Sequence, residues 1–159
     1  MNILWTFLIG MLPIGEARAA IPFGVFYLGL APFEAFFYAV LGNLTATFLV
    51  FFLLEPCTNL LQRFIPVLHK FLQKIFHLTR RKHSQRFKRF EEFFLFFFVS
   101  VPWPGSGGYT GAILAWLFNV PLRVAMLVLA GGVITSGLLV LGVTVGLFQG
   151  WNLGLGIWF

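Results

Sequence analysis

Two ionisable side chains, Glu16 and Arg18, stand in a stretch of sequence that is otherwise apolar. The stretch, residues 11–22, is interrupted by two prolines and a glycine, and a second interruption, residues 101–108, contains two prolines and three glycines. Charged side chains at membrane depth are costly and are retained mainly for function. Broken apolar segments in corresponding positions of two halves indicate the binding site of a transporter. The two interruptions are therefore the first candidates for a functional site.

Arg18 and Glu16 suit different chemistry. A guanidinium stays charged at physiological pH and offers five donors in a rigid fork, which suits bidentate capture of a phosphate or a carboxylate. Desolvation disfavours the charged form of the Glu16 carboxylate, so this residue is the candidate for taking up and releasing a coupling proton. Two structural alternatives stay open. The two charges neutralise each other, or Arg18 binds carbonyl groups that the break leaves unpaired.

The second interruption has the composition of a sharp turn that opens a helix. Its glycines permit positive φ, and the amides from Ser106 to Thr110 would direct the positive end of a helix dipole into the bilayer, where it favours an anion. The predicted substrate-binding residues are Arg18, Ser106, Gly107, Gly108 and Thr110. The predicted re-entrant turns contain Pro13, Gly15, Pro22, Pro102, Pro104 and Gly105. The alternative is a turn that only packs against its counterpart.

Composition predicts an integral membrane protein with a single domain, residues 1–159. Hydrophobic residues make up 59% of the chain, charged residues make up 10%, and the mean hydropathy is +0.91. A soluble domain of this composition would lack the polar side chains needed to cover its surface. No nucleophile, base and orienting group fall together, and the histidines are spaced too widely for one metal ion. We therefore expect no enzyme, no cofactor and no metal site.

Basic residues divide the chain into two apolar repeats, residues 1–55 and 93–159. Nine of the 11 lysines and arginines lie between Arg63 and Arg89, so the positive-inside rule makes residues 56–92 cytoplasmic. We expect this amphipathic segment to bind anionic lipids of the plasma (inner) membrane, and we expect no nucleic acid to bind so apolar a chain. Each repeat contains a long apolar run that predicts one transmembrane helix, the first of which should end at Glu55-Pro56.

The remaining apolar pieces, residues 3–31 and 93–120, each have the pattern of a helix, a break and a second helix. These helices are too short to cross a bilayer, so each piece predicts a re-entrant hairpin buried in protein or facing water. A shift of 89 positions superposes Pro13 on Pro102, and the assigned topology makes the two repeats inverted. Chance alignment of helix breakers is the alternative. Because so small a protomer has few full spans, we expect a second copy to complete a path, as a homo-oligomer.

Two further patterns rank lower. Asn43, Thr45 and Thr47 lie on the first predicted span, where they could bond the broken backbone or line a path, and structural bonding is the favoured interpretation. Glycines recur every four residues near the C-terminus, which predicts a groove for close helix contact within the protomer or across a dimer. These glycines are Gly142, Gly146, Gly150 and Gly154.

Three segments resemble the signature of the small multidrug export protein family. They are Glu16-Ala-Arg-Ala-Ala-Ile-Pro22, Leu41-Gly-Asn43 and Pro102-Trp-Pro-Gly-Ser-Gly-Gly-Tyr-Thr-Gly111. The likeness covers most of the chain, and Ser106 stands where the family pattern has Thr. That family is in turn similar to the DedA (VTT-domain) superfamily, whose members carry two re-entrant hairpins and include polyprenyl-phosphate carriers. The family name implies drug export, whereas the DedA likeness implies a lipid phosphate as the substrate.

We therefore expect an all-α integral membrane protein with two inverted repeats, each a re-entrant helical hairpin plus one transmembrane helix, joined by a basic amphipathic cytoplasmic segment. The predicted function is proton-coupled export or flipping of an amphipathic or anionic substrate across the inner membrane, with Glu16 carrying the proton. Two alternatives remain. One is a membrane scaffold or assembly factor whose hairpins only pack, and the other is a small exporter of cationic drugs.

Overall fold

The computed structural model describes residues 1–13, 15–64, 85–103, 105–118 and 120–152. Six α-helices and no strand are found in these residues, as the sequence predicts. The helices are α1 (Asn2–Gly10), α2 (Glu16–Phe26), α3 (Pro32–Phe64), α4 (Gln85–Ser100), α5 (Gly108–Leu117) and α6 (Leu122–Asn152).

Two of these helices are long and apolar. Within α3 and α6, the segments Pro32–Leu54 and Leu122–Leu147 have mean hydropathies of 2.0 and 2.4, and both are long enough to cross a membrane. Only about a third of each apolar stretch is buried inside the protein, so large side chains such as Phe37, Phe52 and Leu127 stay exposed. Apolar surface of this extent suits contact with lipid tails. The sequence prediction of two helices of spanning length is confirmed.

The end of α3 differs from the prediction. We expected the first spanning helix to stop at Glu55-Pro56, but α3 continues to Phe64 with Pro56 inside it. A proline removes one backbone donor from a helix, and α3 continues beyond Pro56 in spite of this loss. The predicted basic segment, residues 56–92, therefore begins within α3 and ends within α4. Residues 65–84 of that segment lie outside the described residues, so its amphipathic character stays a prediction.

Short helices flank the two predicted breaks. The first break, residues 11–15, separates α1 of 9 residues from α2 of 11 residues, and the second break, residues 101–107, separates α4 from α5 of 10 residues. A helix of ten residues is about 15 Å long, whereas the hydrocarbon core of a bilayer is about 30 Å thick. None of α1, α2 and α5 is long enough to span a membrane alone. Both interruptions of the apolar sequence thus correspond to real breaks in the helices.

Pro22 requires a correction, because it lies inside α2 and not at a turn. The ring removes one backbone donor from the helix, which costs stability but does not end the helix when packing holds both sides. Ile21 is fully buried and Val25 is nearly so, and these contacts anchor α2 on either side of the proline. Pro104, another predicted turn residue, lies outside the described residues.

The interior is built from small residues that let the helices approach closely. A Cβ atom added to Gly10 would lie 2.5 Å from the Ala39 carbonyl oxygen, and one added to Gly42 would lie 2.2 Å from the Phe7 carbonyl oxygen. Fully buried alanines occur on α2, α3, α5 and α6. Small residues at contacts are typical of helices that pack inside a membrane. By contrast, a Cβ atom added to Gly142 would meet no other element within 4 Å among the described residues, and the predicted close contact at this glycine, within the protomer or across a dimer, stays a prediction.

Candidate functional site

A cleft of about 500 Å³ lies between the two breaks. The first half lines it with Pro13, Gly15, Glu16, Arg18 and Ala19, and the second half lines it with Pro102, Gly105, Gly107, Tyr109 and Thr110. Helix α2 begins at the first wall and α5 begins at the second, so two helix N-termini meet at one cavity. The partial positive charges of both helix ends favour negative charge in this place. Sequence positions almost 90 residues apart are thus brought into one site.

Arg18 crosses from the first half to the backbone of the second break. Its Nη1 donates to the Trp103 carbonyl, and its Nη2 donates to the Ser106 carbonyl at 2.7 Å and to the Ser106 hydroxyl at 3.3 Å. The Nε atom is buried without a partner. These bonds agree with the second structural alternative that the sequence offers, in which Arg18 binds backbone carbonyls at a break. The carbonyls belong, however, to the opposite break.

Ser106 organises the second break. Its hydroxyl accepts a hydrogen bond from the Trp103 amide at 3.2 Å, and the Val101 and Trp103 carbonyls lie at 2.7 and 2.9 Å as acceptors for its proton. The side chain is buried and Arg18 is a further donor to it. The sequence prediction made Ser106 a substrate ligand. In this structure its hydroxyl bonds to the turn and to Arg18, and its role as a substrate ligand stays a prediction.

Glu16 opens α2 and faces the start of α5. Only 7% of the residue is exposed, and its φ is +48°, in the left-handed region that costs a non-glycine residue about 1–3 kcal/mol. Its carboxylate lies directly over Gly107, since an added Cβ there would come within 2.0 Å of Oε1 and 2.1 Å of Oε2. The glycine-rich helix start that the sequence predicts for a substrate anion therefore already lies against the chain's own carboxylate.

Two polar side chains of α3 continue from Glu16 into the protein. The Asn43 amide nitrogen donates to Glu16 Oε2 at 3.5 Å, and the Thr47 hydroxyl donates to Asn43 Oδ1 at 3.2 Å. Asn43 is 3% exposed and Thr47 is fully buried. We favoured structural bonding for both residues. The sequence signal that could have linked them to Glu16 is their spacing of four within an apolar helix, which places them on one face.

Tyr109 is a residue of the cleft that the sequence reasoning missed. Its hydroxyl donates to the Met11 carbonyl in the first break. This bond and the Arg18 bonds run in opposite directions, because each half donates to backbone carbonyls in the break of the other half. A phenol beside a glycine-rich turn in an apolar chain was a usable signal, since a buried tyrosine hydroxyl usually finds a partner.

The other predicted residues surround this centre. Gly107 precedes α5 as its N-cap, Gly108 is the first residue of α5, and Thr110 lines the cleft. Pro102 and Gly105 lie in the second break, where Gly105 has a φ of +89° that a residue with a side chain would adopt only with strain. Pro13 and Gly15 line the cleft from the first break. In the part of the chain that the structure describes, no three metal-ligating side chains come together.

The helices of spanning length and the polar cleft between two broken segments are features of a small α-helical membrane protein. A family model described as "Putative small multi-drug export protein" matches residues 16–139, more than three quarters of the chain. The chain belongs to this family. The matched range starts at Glu16, so it includes Glu16, Arg18 and Ala19 of the first wall and all five residues of the second wall. No curated protein and no solved structure matches the chain. The likeness to the DedA superfamily stays a prediction.

Proposed function

We propose that the protein exports or flips an amphipathic, anionic substrate through the cleft in exchange with, or together with, a proton carried by Glu16. The observation that carries the proposal is the cleft itself, because both breaks build it in equal parts and it holds both ionisable residues of the broken segments. A carboxylate buried in an apolar segment is costly, and such residues are retained mainly for function. The family name supports export as the activity.

The geometry supports a specific division of roles. Glu16 holds negative charge at the start of α5 while it is ionised, and uptake of a proton removes that charge from the helix end. An anionic head group entering the cleft then meets the α5 amides and the Arg18 guanidinium, whose bonds to the Trp103 and Ser106 carbonyls it must replace. Release of these bonds loosens the contact between the halves. Substrate entry and movement of the halves are coupled in this scheme.

The membrane arrangement belongs to the same proposal. In it the two broken segments are re-entrant hairpins of an inverted repeat, and the segment from Arg63 to Arg89 is cytoplasmic on the inner leaflet of the plasma membrane. Two observations support it: the helices beside the breaks are too short to span, and α3 and α6 supply one long apolar helix per repeat. A second copy of the chain completes the path. No step of this scheme makes or breaks a covalent bond other than to the proton.

One observation favours a second candidate, an exporter of cationic drugs. Both terminal nitrogens of Arg18 are already bonded to the protein, whereas among the described residues the Glu16 carboxylate has one long side-chain hydrogen bond, from Asn43. A lipophilic cation could compete with the proton at Glu16. The same Arg18 and Tyr109 bonds are also what a scaffold would need to hold its hairpins together, so activity must be measured directly.

The test is substrate-driven proton movement in proteoliposomes that contain a pH-sensitive dye. We expect dodecyl phosphate to drive proton flux in the unmodified protein, and Glu16→Gln to abolish it while Glu34→Gln leaves it intact. Glu34 is the matched control because it lies exposed at the start of α3. Flux driven by tetraphenylphosphonium alone, and lost in Glu16→Gln, would replace the anionic substrate by a cationic one. Absence of flux with both probes would favour the scaffold.

A further inference from the structure

We infer that Asn43 is a positioning residue for Glu16 and that Thr47 sets the orientation of Asn43. Together these residues would fix the pH at which the cleft binds its proton. The inference rests on the proposed function, in which Glu16 carries the coupling proton. It deepens that function by assigning a role to two buried polar residues of α3 that the transport scheme does not otherwise use.

The chemistry of the three groups dictates one arrangement. An ionised carboxylate only accepts hydrogen bonds, so the Asn43 atom that faces Glu16 must be the amide nitrogen. The amide oxygen then points the other way, where the Thr47 hydroxyl donates to it at 3.2 Å. If the amide turned over, the Thr47 bond would be lost and an oxygen would face the carboxylate. Thr47 therefore holds the donor of Asn43 towards Glu16.

The second half of the protein covers this line of polar groups with backbone alone. A Cβ added to Gly108 would lie 2.0 Å from the Thr47 hydroxyl oxygen and 3.0 Å from Asn43 Oδ1. Gly107 lies over the Glu16 carboxylate, and Gly108 lies over Thr47 and Asn43. Two neighbouring glycines thus cover the three polar side chains. The glycine backbone covers these three polar groups and excludes water. Because the glycines have no side chains, the hydrogen bonds between the three groups stay intact. All three polar groups belong to the first half, so their bonds can persist while α5 moves.

Other charged groups near Glu16 are few. Arg18 on α2 and Tyr109 on α5 interact with it electrostatically. Helix α1 carries no titratable side chain, and in α6 the charged residue is Arg123, exposed at its start. On α3, Glu34 is exposed at the start of the helix, and Asn43 is the residue that contacts the carboxylate. Arg18 therefore supplies a charged neighbour of the carboxylate, and Asn43 supplies an uncharged donor to it.

The experiment measures protonation of Glu16 by infrared difference spectroscopy of the protein in lipid nanodiscs, with the band assigned by its absence in Glu16→Gln. Asn43→Leu removes a donor to the carboxylate, so we expect the midpoint of protonation to move up. Thr47→Val keeps the shape of the side chain and removes only its hydroxyl, and it should move the midpoint in the same direction by less. Thr45→Val is the matched control, because the Thr45 hydroxyl is exposed and donates to the Leu41 carbonyl.

The outcomes separate this inference from the function on which it rests. An unchanged midpoint in Thr47→Val and Asn43→Leu, with Glu16 still titrating, would overturn the positioning role and leave proton coupling intact. A midpoint that moves as much in Thr45→Val would also overturn it. If Asn43→Leu does not fold, Thr47→Val decides alone. Absence of any Glu16 titration in the unmodified protein would reject both the inference and the proposed proton coupling.

Discussion

The two breaks contribute opposite kinds of chemistry to the same cleft. The first break is followed directly by ionisable side chains at the start of α2, Glu16 and Arg18. The second break supplies backbone carbonyls, a hydroxyl and glycines. The shift of 89 positions that pairs Pro13 with Pro102 also pairs Glu16 with Gly105 and Arg18 with Gly107. The second half thus has glycine where the first half has charge. The positions that break the helices correspond, while the residues that carry charge do not.

This difference explains how one carboxylate fits at the meeting of two helix ends. The Glu16 carboxylate occupies space that exists because residue 107 has no side chain. A second charged residue at that position would collide with the first and repel or neutralise it. The asymmetry of the two breaks therefore builds the site, and three variants test how far each side depends on the other.

The largest effect is expected from Arg18→Met, which removes all the hydrogen bonds that the guanidinium makes to the second break. The Trp103 and Ser106 carbonyls lose a charged donor, and the bonds to Ser106 are partly buried, so we expect the free energy of unfolding to fall by about 3 kcal/mol. Arg18→Lys should recover part of the loss, because one ammonium cannot match the planar fork that reaches both carbonyls. Denaturant titration of the protein in detergent micelles measures both values.

Arg123→Met is the control for this comparison. Arg123 is exposed at the start of α6, and its replacement should change the free energy of unfolding by about 0.5 kcal/mol or less. Equal losses in the two variants would show that charge removal in general, and not the bond between the breaks, destabilises the protein.

A smaller loss is expected from Gly107→Ala, which changes the second break and leaves the charges in place. The added Cβ would lie 2.0–2.2 Å from three atoms of the Glu16 carboxyl group, so the carboxylate must move. Overpacking of this kind costs about 2 kcal/mol, and proton-coupled flux should fall because Glu16 leaves its position. Gly142→Ala is the matched control. No atom lies within 4 Å of its new methyl group, and alanine should stabilise the helix by up to about 1 kcal/mol.

Local sequence patterns predicted the long helices and the breaks, but not how the breaks interact. Apolar runs and clustered prolines and glycines are local signals, so the positions of α3, α6 and both breaks could be predicted from them. A proline removes one backbone hydrogen bond from a helix but does not always end it, and Pro22 and Pro56 accordingly lie inside helices. The partner of Arg18 depends on which carbonyls the packed helices present to it. No pattern within one segment contains that information.

The smallest of the three effects is expected from Tyr109→Phe, which tests the bond that runs from the second half to the first. The variant keeps the ring and removes one neutral hydroxyl that donates to the Met11 carbonyl, so we expect a loss of about 1 kcal/mol in the free energy of unfolding. Tyr27→Phe is the control, because Tyr27 is 80% exposed and stacks on Phe23 with a ring that the variant retains. Arg18→Met combined with Tyr109→Phe should then lose less than the sum of the two single variants if the opposed bonds hold the same pair of breaks together, because breaking either bond already weakens the other. A strictly additive result would mean that each break is held by its own bond, independently of the other.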